Sequence, residues 1–325
     1  MNKFFNETNL KIWSKLGQRA VFGLGILEII KDNKDLIVVT ADVSTSAGLD
    51  RFRKNFKNNY IDVGIAEQNM IGVAAGLASE NHKIITTTFS PFQTLRCAEQ
   101  IKVMLGYMKI KVTMVGLASG LVLGPLGFTH CSIEDISLIR SIPNIAVICP
   151  SDPTEVIKAT EASIKYDKSV YIRLTGSSNA KQIYHEDYNF KIGESITLKK
   201  GSDVSIISNG SIIAECIEAA DILEKKGIST EVVNMHTIKP IDKKKLNEIF
   251  TTKKIVVSVE EHSIIGGLSS AIAEEMTELK NKPIHIKIGI NDFYSSGGNY
   301  EFLKELYKLK SKDISTRIIT YYEQP

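Results

Sequence analysis

Glu67 is the residue of this sequence whose surroundings best suit it to chemistry. It lies in the stretch Asp62–Met70, where an extended segment meets a helix, and the small-residue run Ile71–Ala78 follows directly. Small side chains let another backbone pack closely, so we expect this carboxylate to be buried at a junction. No cation is evident beside it, and a buried charge without a partner usually has a function. The alternative is an acid in the first turn of a helix, stabilised by the helix dipole.

A second candidate group lies in the uncharged run Val112–Ile133. His130 stands at the end of a glycine-rich loop, directly before Cys131. A Cys–His pair suggests nucleophilic catalysis, but side chains adjacent in sequence rarely face each other productively, so we discount a Cys131 nucleophile. The glycines lack the spacing of a dinucleotide-binding or P-loop motif. Four other histidines are interpreted as structural or solvent-exposed: His82, His185, His236 and His285.

Composition argues against several classes of function. The 325 residues carry 40 basic and 37 acidic side chains without a dense basic block, so nucleic acid is not an expected partner. The four cysteines show neither C-x-x-C spacing nor clustering with histidine, which argues against disulfides and zinc and favours a cytoplasmic setting. Met1–Glu7 lacks the apolar core of a targeting segment. Glycine and proline interrupt the run Val112–Ile133, so no membrane span is predicted.

Short apolar runs alternate with helical patterns along the whole chain. Leu36–Thr40 is a continuous apolar strand, for example, and Pro153–Lys165 has helical periodicity. This alternation predicts an α/β fold class with two doubly wound, mostly parallel sheets. A polar, poorly periodic stretch divides the two halves. We therefore predict a first domain over residues 1–183, a linker over 184–200 and a smaller second domain over 201–325.

The carboxyl ends of the strands are where active sites of such sheets lie. Several candidate residues of the first domain follow predicted strands and should meet at this edge: Asp42, Glu67, Phe89, the loop 116–130 and Arg173.

The motifs of both predicted domains resemble one enzyme family. Four segments of the first domain are similar to the pyrimidine-binding domain of transketolases and 1-deoxy-xylulose-5-phosphate synthases: Gly64–Gln68, Thr88–Phe92, Gly127–His130 with Glu134–Ile136, and Ile142–Asn144. The second domain resembles the C-terminal domain of that family through Thr237–Asp242 and Glu260–Gly267. The resemblance covers nearly the whole chain, with the motifs in the family's order.

The resemblance implies thiamine diphosphate as the cofactor, and it gives Glu67 a role. In this family the matching glutamate hydrogen-bonds a ring nitrogen of the cofactor's aminopyrimidine and so promotes the proton removal that activates the cofactor. Phe89 and Phe92 match the aromatic positions against which the pyrimidine stacks, although core packing alone would explain both. The third such position is Leu95 here, and Asp42 resembles an acid that lies near the cofactor.

The resemblance also implies a substrate site, with two departures from the family pattern. Four residues match positions that bind a sugar substrate, since arginine suits bidentate phosphate contacts and histidine suits hydroxyl binding and proton transfer: Arg19, Ser46, His130 and Arg173. The family often has an acid where this chain has Leu126, and transketolases have a phosphate-binding histidine where it has Ala118. We expect a sugar or sugar phosphate as the substrate. Because both departures remove polar contacts on the substrate side, a modified sugar is an alternative to an ordinary pentose phosphate.

A missing motif bears on the expected assembly. Thiamine enzymes anchor the diphosphate through Mg²⁺ with a Gly-Asp-Gly motif followed by asparagine, and this chain contains no Gly-Asp-Gly. We therefore expect a separate N-terminal, diphosphate-binding subunit to hold Mg²⁺. This chain would then be the C-terminal subunit of a split transketolase, active only with that partner in a heterotetramer. The helix after Glu67 would lie in the interface, because closed sites of this kind form between subunits.

Two other interpretations remain open at this point. The β subunit of a 2-oxo acid dehydrogenase has the same length, the same two domains and an equivalent glutamate, although Gly127–His130 and Ile142–Asn144 favour a transketolase. A catalytically silent partner subunit would keep the fold without turnover. Leu126 favours that interpretation, whereas Glu67 and the two phenylalanines argue against it.

Overall fold

Parallel strands dominate the computed structural model, which describes residues 5–323. Most strands of the first half are buried at every position, as expected of a sheet that is covered on both faces. Numbered in chain order, the strands of the described residues are Leu36–Thr40 (β1), Tyr60–Asp62 (β2), Lys83–Phe89 (β3), Thr113–Leu117 (β4), Ile145–Ile148 (β5), Ser169–Arg173 (β6), Ile196–Lys199 (β7), Val204–Ser208 (β8), Thr230–Asn234 (β9), Thr237–Lys239 (β10), Ile255–Ser263 (β11) and Ile284–Ile290 (β12).

These strands form two sheets. The first has the order β10–β5–β6–β4–β3–β1–β2, and β10 alone runs antiparallel to its neighbour. The second has the order β12–β11–β8–β9–β7, in which β7 is the antiparallel edge strand. The predicted α/β fold class, with two mostly parallel sheets, is confirmed.

Helices cover both sheets. In residues 5–323 none of them combines the length and the apolar character that crossing a bilayer requires. The helices are Glu7–Leu16, Gln18–Asp32, Asp50–Asn55, Glu67–Ser79, Ser90–Gln93, Ala98–Gln100, the π-helical segment Ile101–Tyr107, Asp135–Ser141, Pro153–Lys165, Ile213–Glu224, Lys243–Thr252, Leu268–Met276, Tyr300–Leu306 and Ser311–Tyr322, with short 3₁₀ turns at Lys57–Asn59, Leu95–Cys97, Gly124–Leu126 and Gly210–Ile212.

Local sequence signals explain where several helices begin. The side chain of Asp152 accepts a hydrogen bond from the backbone N–H of Glu155, and Pro153 occupies the first helical position, so the helix Pro153–Lys165 begins and ends where its periodicity predicts. Gly17, with φ of 80°, separates the first two helices, a backbone conformation that glycine adopts readily. The second helix therefore begins at Gln18, one position before Arg19.

Two short strands were not apparent from the sequence. β7 lies inside the predicted linker 184–200, and β10 extends from the second half of the chain to pair with β5 of the first sheet. Both are edge strands of three or four residues, too short to show periodicity. The boundary between the two domains therefore stays a prediction, because β10 follows the predicted linker in sequence but belongs to the first sheet.

Candidate active site

Glu67 begins the helix Glu67–Ser79 just after β2, and only 4% of its side chain is exposed. The expectation that no cation lies beside it is wrong. Nη1 of Arg96 donates a hydrogen bond to Oε1 of Glu67 over 2.6 Å. Within residues 5–323 no donor reaches Oε2. The carboxylate therefore has one oxygen held by arginine and one oxygen open to a ligand.

Arg96 connects Glu67 to an aromatic cluster. Its guanidinium lies over the ring of Phe92, 3.9 Å from the ring centroid. Phe92 in turn meets Phe89 and His130 edge to face, at centroid separations of 6.4 and 5.3 Å. The structure thus brings four predicted site residues together. Arg96 was missed because it lies far from Glu67 in sequence; its position four residues after Phe92 was the available signal.

The loop that carries His130 is closed at its base. Gly120 and Ser132 exchange two backbone hydrogen bonds, of 2.9 and 3.0 Å, and so form an isolated antiparallel bridge. Nδ1 of His130 lies 3.0 Å from the hydroxyl of Thr129, which sets the orientation of the imidazole. The partly exposed ring therefore faces Phe92 from a short loop with fixed ends.

Cys131, the neighbour of His130, lacks the character of a nucleophile. The residue is 2% exposed, and burial raises the pKa of its thiol to about 12. A thiol with such a pKa remains protonated at neutral pH, whereas a nucleophilic cysteine must ionise. This agrees with discounting Cys131. All four cysteines are buried and unpaired.

Arg19 and Ser46 line one cleft of about 390 Å³, together with Val122 from the His130 loop. Arg19 contributes the single charge among the lining residues, all of which belong to the described part of the chain. Burial lowers the pKa of its guanidinium, and among the described residues no carboxylate opposes that effect. A partly buried arginine without an acidic partner is suited to an anionic ligand.

Gly23 allows the helix that carries Arg19 to approach the loop that carries Ser46. A methyl group at Gly23 would lie 2.1 Å from the carbonyl oxygen of Gly48, so the loop would have to move. We expect Gly23→Ala to lower the free energy of unfolding by about 1–3 kcal/mol, measured by urea denaturation. In the matched variant Gly76→Ala the new methyl group meets nothing within 4 Å. Equal midpoints for the two variants would contradict the steric argument.

Asp42 lies at the carboxyl end of β1 with its side chain exposed and its backbone in the left-handed region, at φ of 56°. Its N–H donates to Oδ1 of Asp62 over 2.9 Å, and Asp62 also accepts from the N–H of Gly64 over 2.9 Å. Asp62, which the sequence interpretation did not single out, therefore joins the loop after β1 to the turn before Glu67. Contact of Asp42 with a cofactor stays a prediction.

Arg173 differs from the predicted arrangement. It is 1% exposed, and its Nε donates to Oδ2 of Asp135 over 2.8 Å. Nη2 donates to the carbonyl oxygens of Ser132 and Glu261, at 2.9 and 3.0 Å. These contacts are those of a structural residue between the two domains, and Arg173 is not among the residues that line the Arg19 cleft. Arg173 does not reach the cleft because the buried carboxylate of Asp135 holds its guanidinium in the protein interior.

Electrostatics around Asp135 is dominated by opposing effects. Burial raises the pKa of its carboxyl, but the charge of Arg173, the neighbouring His262 and the hydrogen bonds from Arg173 and Tyr171 outweigh burial and lower that pKa below its usual value. Asp135 is therefore ionised in the folded protein. Ser90 donates a further hydrogen bond to the same oxygen over 3.0 Å.

The two departures from the family pattern occupy different environments. Leu126 is 58% exposed in the turn Gly124–Leu126, so an apolar side chain faces solvent there. Ala118 is buried at the end of β4 with φ of 51°.

Across residues 5–323, no group of three or more His, Cys, Asp or Glu side chains is arranged to hold a metal ion.

Comparison with known proteins agrees with this arrangement. Residues 14–180 match the model of the transketolase pyrimidine-binding domain, and residues 193–314 match that of the transketolase C-terminal domain. This chain belongs to the transketolase family. It is 37% identical to one subunit of the apulose-4-phosphate transketolase of Actinobacillus succinogenes, over 89% of this chain and 93% of that one.

Two further relatives match this chain along most of their own length. The 6-deoxy-6-sulfo-D-fructose transketolase subunit of a Clostridium species is 36% identical over 89% of each chain. A solved structure described as "Split gene transketolase, inactive beta4 tetramer" is 34% identical to this chain. The match covers 94% of this chain and 97% of that one, with a TM-score of 0.85. The likeness to a split-type chain is therefore one of sequence and of fold.

Proposed function

We propose that this chain is the pyrimidine-binding, C-terminal subunit of a split transketolase, which transfers a two-carbon ketol unit from a ketose to an aldose with thiamine diphosphate. The observation that carries the proposal is the buried Glu67 carboxylate, which Arg96 links to the rings of Phe92 and His130 and whose Oε2 is open to a ligand. The four unpaired cysteines favour a reducing compartment such as the cytoplasm.

The residues present fit the pyrimidine end of the cofactor. When bound, thiamine diphosphate supplies the electron sink for cleavage of a carbon–carbon bond. Glu67 would share a proton with the pyrimidine through Oε2, and Phe89 and Phe92 would form the aromatic wall of the pocket. His130, partly exposed beside that wall, would bind a substrate hydroxyl and accept or return a proton. Mg²⁺ would be held by the partner, since this chain lacks the Gly-Asp-Gly motif.

An apolar surface next to Glu67 is where we place the partner subunit. Ile65, just before the helix Glu67–Ser79, is 78% exposed. Tyr107 and Met108, at the end of the segment Ile101–Tyr107 that packs against this helix, are 84% and 58% exposed. The helix itself has an exposed Gly76, where a methyl group would meet nothing within 4 Å. Burial of this face by a diphosphate-binding subunit would close the site over Glu67 and exclude water.

The Arg19 cleft is the proposed site for the charged end of the sugar. Two relatives are named for phosphorylated or sulfonated sugars, and both groups are anions that one arginine and neighbouring hydroxyls can bind. Exposed Leu126 replaces a polar contact on the substrate side, which fits a modified ketose.

Arg19→Gln tests this cleft. Because a hydrogen bond to a charged group contributes about 1.5–3 kcal/mol, we expect the KM for a phosphorylated aldose to rise about 10- to 100-fold. The KM for the unphosphorylated aldose should stay unchanged, because Arg19 would contact the anion only. Steady-state kinetics of the assembled enzyme with both aldoses provides the comparison. An equal rise for the charged and the neutral aldose would argue against anion recognition by Arg19.

Reconstitution tests the proposed function itself. The chain is mixed with its diphosphate-binding partner, thiamine diphosphate and Mg²⁺, and ketol transfer from a ketose to an aldose is followed by product analysis. We expect turnover from the mixture and none from either subunit alone. Turnover by this chain alone would disprove the split-subunit proposal. Oxidation of pyruvate with an artificial electron acceptor would instead indicate a 2-oxo acid dehydrogenase.

A further inference from the structure

The loop that carries His130 is partly embedded in the second domain. Leu121 and Ile133, at the two ends of the loop, are 0% and 4% exposed and belong to the same apolar core as Val257 and Ile288 of the second sheet. The backbone N–H of Ser263, at the end of β11, donates to the carbonyl oxygen of Ile133 over 2.9 Å. The ends of this loop are therefore packed into a domain other than the one that contains Glu67.

Glu261 anchors the first of these ends. Its Oε1 accepts a hydrogen bond from the N–H of Leu121 over 2.7 Å, and its Oε2 accepts one from the hydroxyl of Tyr300 over 2.6 Å. Glu261 is only 2% exposed. At Gly120, a methyl group would lie 2.2 Å from Oε1 of Glu261, so there is no room for a side chain between the loop and this carboxylate.

The middle of the loop is held from the same side. The N–H of Gly298 donates to the carbonyl oxygen of Gly124 over 3.1 Å. The ring of Phe128, two residues before His130, lies 5.0 Å from that of Tyr294 and 6.4 Å from that of Tyr307. Base and middle of the loop thus have partners in the second domain, whereas His130 itself faces Phe92 of the first.

We propose that the second domain acts as the positioning element of the active site, with Glu261 and Tyr300 as positioning residues that hold the His130 loop against the first domain. The inference rests on the proposed function for its catalytic consequence. Every residue predicted to contact the cofactor or the substrate belongs to the first domain: Arg19, Asp42, Ser46, Glu67, Phe89, Phe92, His130 and Arg173. Glu261 and Tyr300 act on the loop through Leu121, and a small displacement there moves His130 relative to a bound sugar.

Hydrogen exchange and kinetics of three variants of the assembled enzyme test the proposal. Glu261→Leu removes the acceptor for Leu121, Tyr300→Phe removes one donor to Glu261, and Glu261→Gln keeps an acceptor for Leu121 and a donor for the Tyr300 oxygen. The matched control is Glu231→Leu, which removes another buried carboxylate of the second domain, bound to Ser205 and Lys245 and not to the loop.

We expect faster exchange of residues 118–133 in Glu261→Leu, a smaller increase in Tyr300→Phe and wild-type exchange in Glu261→Gln and the control. Because a displacement of about 1 Å can cost about 100-fold in rate, kcat/KM for the sugar should fall about tenfold or more in Glu261→Leu. The Kd for thiamine diphosphate should not change, and Glu261→Gln should restore kcat/KM.

The outcomes that would overturn the proposal are specific. Unchanged exchange of residues 118–133 in both Glu261→Leu and Tyr300→Phe would show that these residues do not hold the loop; if Glu261→Leu fails to fold, Tyr300→Phe decides this point. Faster exchange with unchanged kcat/KM would separate the loop from catalysis. A wild-type complex without ketol transfer would refute the proposed function, and the exchange data would still decide whether the second domain holds the loop.

Discussion

Glu67→Gln is expected to lower kcat of the reconstituted enzyme by at least about 100-fold, because an amide cannot share a proton with the cofactor as a carboxylate can. The fold should persist, since glutamine keeps an oxygen that can accept the hydrogen bond from Arg96. Arg96 is 42% exposed, so loss of the ion pair should change stability little. Single-turnover and steady-state rates provide the measurement, with thermal unfolding and gel filtration to verify folding and assembly.

Glu80→Gln is the matched control for this variant, since Glu80 lies exposed at the other end of the same helix. It should have wild-type activity. If Glu67→Gln kept more than about a tenth of the wild-type kcat, Glu67 would be no more than a first-turn acid that the helix dipole stabilises.

Arg173→Met is expected to have the largest effect on stability, lowering the free energy of unfolding by about 3–5 kcal/mol. Without the guanidinium, the Asp135 carboxylate would be left 0% exposed and without its cation. The double variant with Asp135→Asn should recover part of the loss, because asparagine removes the charge. Urea denaturation of the single and double variants measures both changes.

A surface ion pair provides the control for Arg173→Met. Lys165→Met removes the pair with Glu161, whose side chains are 68% and 46% exposed, and should cost less than about 1 kcal/mol. A loss for Arg173→Met as small as that for Lys165→Met would show that the buried pair contributes little.

The same ion pair predicts a direction for the pH dependence of stability. Since the pKa of Asp135 is lower in the folded protein than its ordinary value of 3.8, the carboxylate contributes stability that is fully present above that value. The contribution is lost as pH falls through the lower, folded pKa. Wild-type protein should therefore lose stability more steeply than the double variant below about pH 4.

Burial of Glu67 could be predicted because its cause is local. The small residues after it mark a helix that packs closely, and the helix begins at Glu67 as expected. Likewise, the alternation of apolar strands with helices is periodic over many residues and predicts the fold class. The partners of Arg173 could not be predicted, since Asp135 and Glu261 lie 38 and 88 positions away in sequence and reach it only through tertiary packing.

Arg96 is an intermediate case. It follows Phe92 by four positions in a region of short and irregular helical turns, so the regular spacing that places side chains on one face is weak there. The resemblance to a family predicted which residues contact the ligand but not which residues hold them in place. Residues of the second kind make tertiary contacts with residues distant in sequence, as Arg96 does with Glu67, and such contacts have no short-range sequence signal.

The pairing of β10 with β5 determines how the chain can be divided. Residues 237–239 complete the first sheet from beyond the linker, and Cys149 donates a further backbone hydrogen bond to His236 over 2.7 Å. A first domain produced alone, ending between residues 184 and 195, would lack β10, the edge strand of the first sheet, and would expose β5. The two domains should therefore unfold in a single transition. The two domains therefore form one structural unit, because the edge of the first sheet is built from residues that follow the linker.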